Sequence, residues 1–339
     1  MNKIRLDFID WMKALGMWTI VLGHFFPTQL QYLTYSFSVQ LFFFVSGYLF
    51  KFTPDMKEFW IKNKRSLIYP YLILGGVNLG CKILRADSFD SVEKATLGFL
   101  LGIGNFDNSG GCGGLWFVIT LFLMKVIVQI LHTLRSACWF LLLSLPFMYL
   151  YRHCLIGSVV EWYGFSIGNI LVAYPFFLGG FALSATCYDK ISMISQNMET
   201  NRATATFVIG VVLLTALYFI APYNGIVYMI YGGWGNSILL FYVYSICGIL
   251  GVYLLSVGLS KCRFVSLART LSLGSIVILA FQGYFIERMA PRLELMFGGK
   301  NFEYEIGSLC CSLLIMLVFI PIIKLIQRCC PIVLGKRKL

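Results

Sequence analysis

Three ionisable side chains fall inside the first apolar run of the sequence. They are Asp10, Lys13 and His24, in Ile-Asp-Trp-Met-Lys-Ala-Leu-Gly-Met-Trp-Thr-Ile-Val-Leu-Gly-His. Charge in such a run is costly, so each is a candidate for chemistry. On a helix, Lys13 and His24 share a face to within about 20°, separated by about 16 Å along the axis. Asp10 lies one turn below Lys13, within pairing reach. One stripe then carries an ion pair at one end and an imidazole at the other, facing other protein rather than lipid. An imidazole titrates near neutral pH and serves as a base or a nucleophile in a partly wet cavity. The bland alternative for His24 is a polar ring packed between helices. The other two histidines, His132 and His153, read as solvated or interfacial, and three scattered histidines without paired Cys/His spacing predict no metal site.

A second group is basic. Lys51-Phe-Thr-Pro-Asp-Met-Lys-Glu-Phe-Trp-Ile-Lys-Asn-Lys-Arg65 carries Lys51, Lys57, Lys62, Lys64 and Arg65 around Phe59, Trp60 and Ile61. It reads as an interfacial helix leading into an apolar run. Its cations serve either topology and anionic lipid, or a polyphosphorylated ligand.

The elements that must position these groups follow from composition. The 339 residues are 59% hydrophobic and only 12% charged, with mean hydropathy +0.80. A soluble domain carries about a quarter charged residues, so the chain is an α-helical integral membrane protein. Runs of about 20 apolar residues fall at 8–26, 33–51, 66–84, 115–133, 137–151, 167–186, 203–221, 238–259, 272–289 and 305–327. These are ten candidate spans. No linker, low-complexity tract or repeat interrupts them, which predicts one membrane domain over 1–339, and no cleavable signal peptide is expected. With the N-terminus inside, the cytoplasmic segments hold Lys3, Arg5, the five cations of 51–65, Arg135, Lys190, Arg202, Lys261, Arg263, Arg269, Arg328, Lys336, Arg337 and Lys338. The outer segments hold Arg85, Lys94, Arg152, Arg288, Arg292 and Lys300. That asymmetry, 17 against 6, places both termini in the cytoplasm. It also explains the net charge of +12 without nucleic acid.

The remaining features are ambiguous. Most of the 11 cysteines, such as Cys310 and Cys311, lie in apolar runs as small packing residues, while Cys112 and Cys154 fall in outer loops where a disulfide is conceivable. The loop Asn105-Phe-Asp-Asn-Ser-Gly-Gly-Cys-Gly-Gly114 is either a plain linker or the mouth of an acceptor site. Trp162, Tyr163 and Trp234 suit an interfacial belt or a sugar platform equally.

The motifs resemble a known family. Lys13-x10-His24 within D-x-x-K-x10-H looks like the opening signature of the membrane acyltransferase family 3, and of its fucose 4-O-acetylase-like branch, where Lys often replaces Arg. Further matches follow in the family's order. Leu41-Phe-Phe-Phe-Val-Ser-Gly-Tyr-Leu49 is similar to its FFxSGxL segment, and Lys62-x-x-Arg65 with Leu67-Ile-Tyr-Pro-Tyr71 to its basic pair and LLxPY run. Leu115-Trp-Phe117 with Leu121-Phe122, Tyr174-Pro-Phe-Phe-Leu-Gly-Gly180 and Ser275-Ile-Val-Ile-Leu-Ala-Phe281 resemble three later segments. The resemblance covers nearly the whole chain. Where many relatives have a second histidine after the last motif, this chain has Gln282.

The resemblance implies transfer of an acyl group, usually acetyl from acetyl-CoA, to a hydroxyl of a cell-surface polysaccharide, in the inner (cytoplasmic) membrane of a bacterium. Lys62, Lys64 and Arg65 would bind the phosphates of coenzyme A. His24 would act as general base or as transient acyl carrier, with Lys13 and Asp10 as catalytic partners on the same helix stripe, about 16 Å or more below it. Ser46, Asn105, Trp116 and Gln282 are candidates for substrate binding or support. The expected partners are membrane lipid and the sugar acceptor, with no nucleic acid and no metal, and the oligomeric state stays open. The rival from another class is a transporter or flippase of a lipid-linked sugar. That would spread charge over several helices with inverted-repeat hints, whereas the charge here gathers on the first run and the basic loop. A non-catalytic lipid-binding protein has no specific feature in its favour.

Overall fold

The computed structural model of the protein describes residues 6–26, 28–104, 111–150 and 167–336, and every regular element among them is helical. The helices are α1 (Asp7–Gly23), α2 (Gln29–Tyr35), α3 (Ser38–Tyr48), α4 (Met56–Asn63), α5 (Tyr69–Ile83), α6 (Phe89–Leu101) and α7 (Trp116–Leu131), then α8 (Leu134–Leu150), α9 (Ile167–Asn197), α10 (Thr200–Ile220), α11 (Ile238–Leu259), α12 (Val265–Leu273), α13 (Ser275–Phe297) and α14 (Phe302–Cys329). Among the described residues, six helical runs are long and apolar enough to cross a membrane, seven if α12 and α13 form one bent span. The architecture is an all-helical membrane bundle.

Several expected spans differ from the helices found. The run 8–26 ends as α1 at Gly23. A proline at 27 cannot continue a helix, because its ring clashes with the carbonyl four residues back. The run 33–51 is not one helix: it breaks between α2 and α3. There the Ser36 carbonyl accepts the Ser245 hydroxyl of α11 at 2.6 Å, while the Ser36 hydroxyl donates back to Leu33 O. The run 272–289 breaks at Gly274, where α12 and α13 meet at 81°. Gly274 lies against Ile323, with no room for a side chain. The outer segment between the expected spans 66–84 and 115–133 contains α6, capped at its start by the Ser88 hydroxyl and at its end by Gly102 in the left-handed region.

The chain forms two compact units. The first comprises residues 1–45, 183–227 and 234–325. Its axis is α1, which packs on α2, α11, α12 and α13 and is buried along nearly its whole length. Small polar contacts join these helices: Trp18 Nε1 donates to Ser312 Oγ (2.9 Å), Ser38 Oγ to Thr19 Oγ1 (2.8 Å), and Arg269 of α12 grips Asp7 of α1 (2.7 Å). The α10–α11 pair meets backbone to backbone, with Gly210 lying on the Gly251 carbonyl and Gly258 on Phe207. Without a hydrophobic drive inside lipid, such close approach is what holds helices together.

The second unit comprises residues 46–182, 228–233 and 326–339. Gly47 of α3 lies directly on the carbonyl of Phe177 in α9. Phe50, Phe52, Phe177 and Phe181 pack edge to face around that contact. The segment before α4 is locked onto α7 by one amide: Gln129 Nε2 donates to Thr53 O (2.7 Å), and Thr53 N–H donates to Gln129 Oε1 (3.2 Å).

Candidate functional site

In the first unit, His24 closes α1 as its last residue in helical conformation. Its Nδ1 lies 2.6 Å from the carbonyl oxygen of Ile20. A carbonyl only accepts, so Nδ1 carries the proton and the lone pair of the neutral ring sits on Nε2. The ring meets Tyr35 of α2 edge-on, with centroids 6.1 Å apart. Gly23 makes that approach possible: a Cβ there would run into Thr34 and the Tyr35 ring. Asp10 is buried and Lys13 half-buried on the same helix, both engaged with neighbours.

The short helix α2, which packs on His24 through Tyr35, has no cap of its own, since Thr28 gives no side-chain cap. The cap comes from α14. Oε1 of Glu305 accepts the N–H of Gln29 (2.5 Å) and of Leu30 (3.3 Å), and its Oε2 accepts the hydroxyl of Tyr218 (2.9 Å). Gln29 Nε2 in turn donates to Tyr218 O (3.0 Å). A carboxylate at the positive end of a helix satisfies donors that would otherwise be orphaned. Glu305 is itself buried, and sequence reasoning passed over it as the first residue of the last apolar run. The available signal was the rule that picked out Asp10: an acid within an apolar stretch.

Gln282 is buried on α13 in the same unit, and its Oε1 has no hydrogen-bond partner among the described residues. A buried amide oxygen without a donor calls for one, from water or from a hydroxyl ligand.

In the second unit, Lys62 and Lys64 are exposed and Arg65 half-exposed, beside exposed Trp60 and Ile61. Lys62 lies in the last turn of α4, and Lys64 and Arg65 open a π-helical turn, Lys64–Ile68. Proline at position 70 accounts for that turn: it offers no N–H and forbids the ordinary bond back to residue 66. Tyr69 N–H bonds Lys64 O instead. The Lys64 ammonium lies over the Tyr69 ring, 5.6 Å from its centroid. Ser46 is half-buried on α3 and Trp116 buried at the start of α7.

Asn105 lies outside the described residues, as do Asp107, Arg152, His153, Cys154, Trp162 and Tyr163. The base of the 105–114 loop is defined, with Cys112 N–H donating to Ile103 O (2.8 Å) and Gly113 N–H to Gly104 O (2.9 Å). Lys82, a cation the sequence reading left unused, donates to Gly111 O at 2.6 Å. Burial pushes the neighbouring Cys112 thiol up to about 12, so it stays protonated and is a poor nucleophile.

Each unit therefore holds one chemical half of the expected set. The imidazole, Lys13, Asp10 and Gln282 belong to the first, and the three cations, Ser46 and Trp116 to the second. The family model for an acyltransferase domain matches residues 6–323. No curated protein and no solved structure matches the chain. With that match over nearly its full length, on a membrane bundle whose first helix ends in an oriented imidazole, the chain belongs to acyltransferase family 3.

Proposed function

We propose that this acyltransferase moves an acetyl group from cytoplasmic acetyl-CoA to a hydroxyl of an extracytoplasmic polysaccharide. In this reading it works in a bacterial inner membrane, within the fucose 4-O-acetylase-like branch of its family. The whole chain acts as one catalytic domain with both termini cytoplasmic. In this reading α1, the broken pair α2–α3 and α8 supply the crossings that bring the count to ten.

The observation that carries the reading is the His24 hydrogen bond to Ile20 O, which leaves the basic nitrogen Nε2 for the substrate. As general base, Nε2 takes the proton of the acceptor hydroxyl while that oxygen attacks the thioester carbonyl. The tetrahedral intermediate collapses, the C–S bond breaks, and the imidazolium returns the proton to the departing thiolate. The products are the O-acetyl ester and coenzyme A, with no net change at His24. As acyl carrier, Nε2 itself attacks the thioester and later yields the acyl group to the hydroxyl. Lys62, Lys64 and Arg65 supply charge for the donor phosphates, Arg65 as a bidentate fork and the lysines as point charges. The orphaned Gln282 Oε1 can accept from the acceptor hydroxyl before transfer.

The test is acetyl transfer to purified glycan by detergent-solubilised protein, with a thermal-shift check of folding. His24→Ala should abolish transfer in a folded protein. A well-folded His24→Ala enzyme with near-normal turnover removes the catalytic role.

A further inference from the structure

The last described stretch of the chain does not trail away from the bundle. After α14 ends at Cys329, residues Pro331–Leu334 form a 3-10 turn with Pro331, Val333 and Leu334 buried, packed on α5. Gly335 closes the turn in the left-handed region, at φ 70°, and Lys336 N–H bonds back to Pro331 O at 3.1 Å. The surface met by Gly335 is the π-helical turn that carries the basic pair. A Cβ on Gly335 would lie 3.0 Å from Ser66 Cα and 3.5 Å from the Arg65 carbonyl oxygen. Both contacts are to backbone, which cannot swing aside as a side chain would.

Two features make this more than a tail packed for cover. The π turn has given up its ordinary helical register to Pro70, and a turn with a disturbed ladder is held by what packs on it. In addition Lys336 is exposed one residue beyond Gly335, about 3.8 Å along the chain. Its main chain thus lies one residue from the glycine that rests on the Arg65–Ser66 backbone.

We propose that the C-terminal turn 331–335 is a positioning element for donor binding. It buttresses the π turn so that Lys64 and Arg65 present their charges in a fixed arrangement, and Lys336 extends the same cationic surface. The ligand class is a polyphosphorylated acyl carrier. This rests on the donor-site reading above, and the experiment separates the two.

Acetyl-CoA binding and steady-state kinetics are measured on the detergent-solubilised full chain for Arg65→Ala, Gly335→Val and the double variant. Gly335→Val places a branched side chain on Ser66 and in a left-handed backbone. It should raise KM for acetyl-CoA roughly five- to tenfold, leaving kcat and the KM for the acceptor near the parent values. Because the turn acts through Arg65, the double variant should bind little worse than either single variant, a non-additivity that general destabilisation does not produce. Gly335→Ala, with the same backbone cost and a smaller clash, serves if the valine variant does not fold. Lys336→Ala removes that one cation and should weaken donor binding more at low salt than at high salt. If Arg65→Ala binds acetyl-CoA like the parent, the donor-site reading fails. If Arg65→Ala is impaired while the Gly335 variants bind normally, or if the two effects simply add, the positioning role alone is overturned.

Discussion

At the scale of single residues, the chemistry depends on which nitrogen of His24 bears the proton, and a main-chain carbonyl one turn back decides it. Lys13 shares the helix of that residue, and Glu305 caps the helix packed against it. Lys13→Arg keeps the charge and should retain part of the activity. Lys13→Met leaves Asp10, which is buried, near a neutral side chain, and should lower both expression and activity. Glu305→Ala deprives two backbone N–H groups and the Tyr218 hydroxyl of their acceptor. It should cost on the order of 3 kcal/mol of stability, seen as a clear fall in melting temperature, with transfer falling as α2 loosens beside His24. Glu305→Gln keeps one acceptor oxygen and should lie between. An alanine variant with the parent's melting temperature would show that Glu305 does not hold α2. Asp10, Lys13 and His24 were legible in the sequence because charge in an apolar run is conspicuous. Glu305 obeys the same rule but stands at the edge of its run, where an acid reads as an ordinary helix start.

At the scale of elements, apolar runs located helices well, and 238–259 coincides with α11 to the residue. Breaks within runs were hidden because their causes lie far off in sequence. The Ser36 carbonyl accepts the Ser245 hydroxyl, and Gly274 accommodates Ile323. The π turn was readable in principle from Pro70, a local cause. The glycine after Ser46 has a long-range cause again: it lets α3 rest on the α9 backbone. Gly47→Ala would drive its methyl into the Phe177 carbonyl, which cannot move without moving the helix. A loss of about 1–3 kcal/mol or more is expected, measured as reduced thermal stability and yield of the membrane fraction. An unaltered melting temperature would mean that α3 and α9 can separate freely.

At the scale of the whole molecule, the charge asymmetry of the loops predicts an orientation that labelling can check. In a background cleared of the native cysteines, single cysteines are placed at positions 57 and 107 and exposed to a membrane-impermeant thiol reagent on intact cells. Position 107 should react and position 57 should not. The reverse pattern would put the cations of 51–65 on the side without coenzyme A and end the proposed mechanism.

The burial of α1 has a further consequence, which concerns the thickness of the surrounding bilayer. Seventeen residues of helix extend about 26 Å, short of a hydrocarbon core of about 30 Å. A lipid-facing helix of that length would have to thin the bilayer around it. Helix α1 is wrapped by other helices and meets no such demand, whereas α10 turns Val208, Ile209, Val212 and Phe219 outward. When the acyl chains of the lipids lengthen or shorten, the mismatch falls on α10 and its lipid-facing neighbours, and the helix bearing Asp10, Lys13 and His24 keeps its length and register.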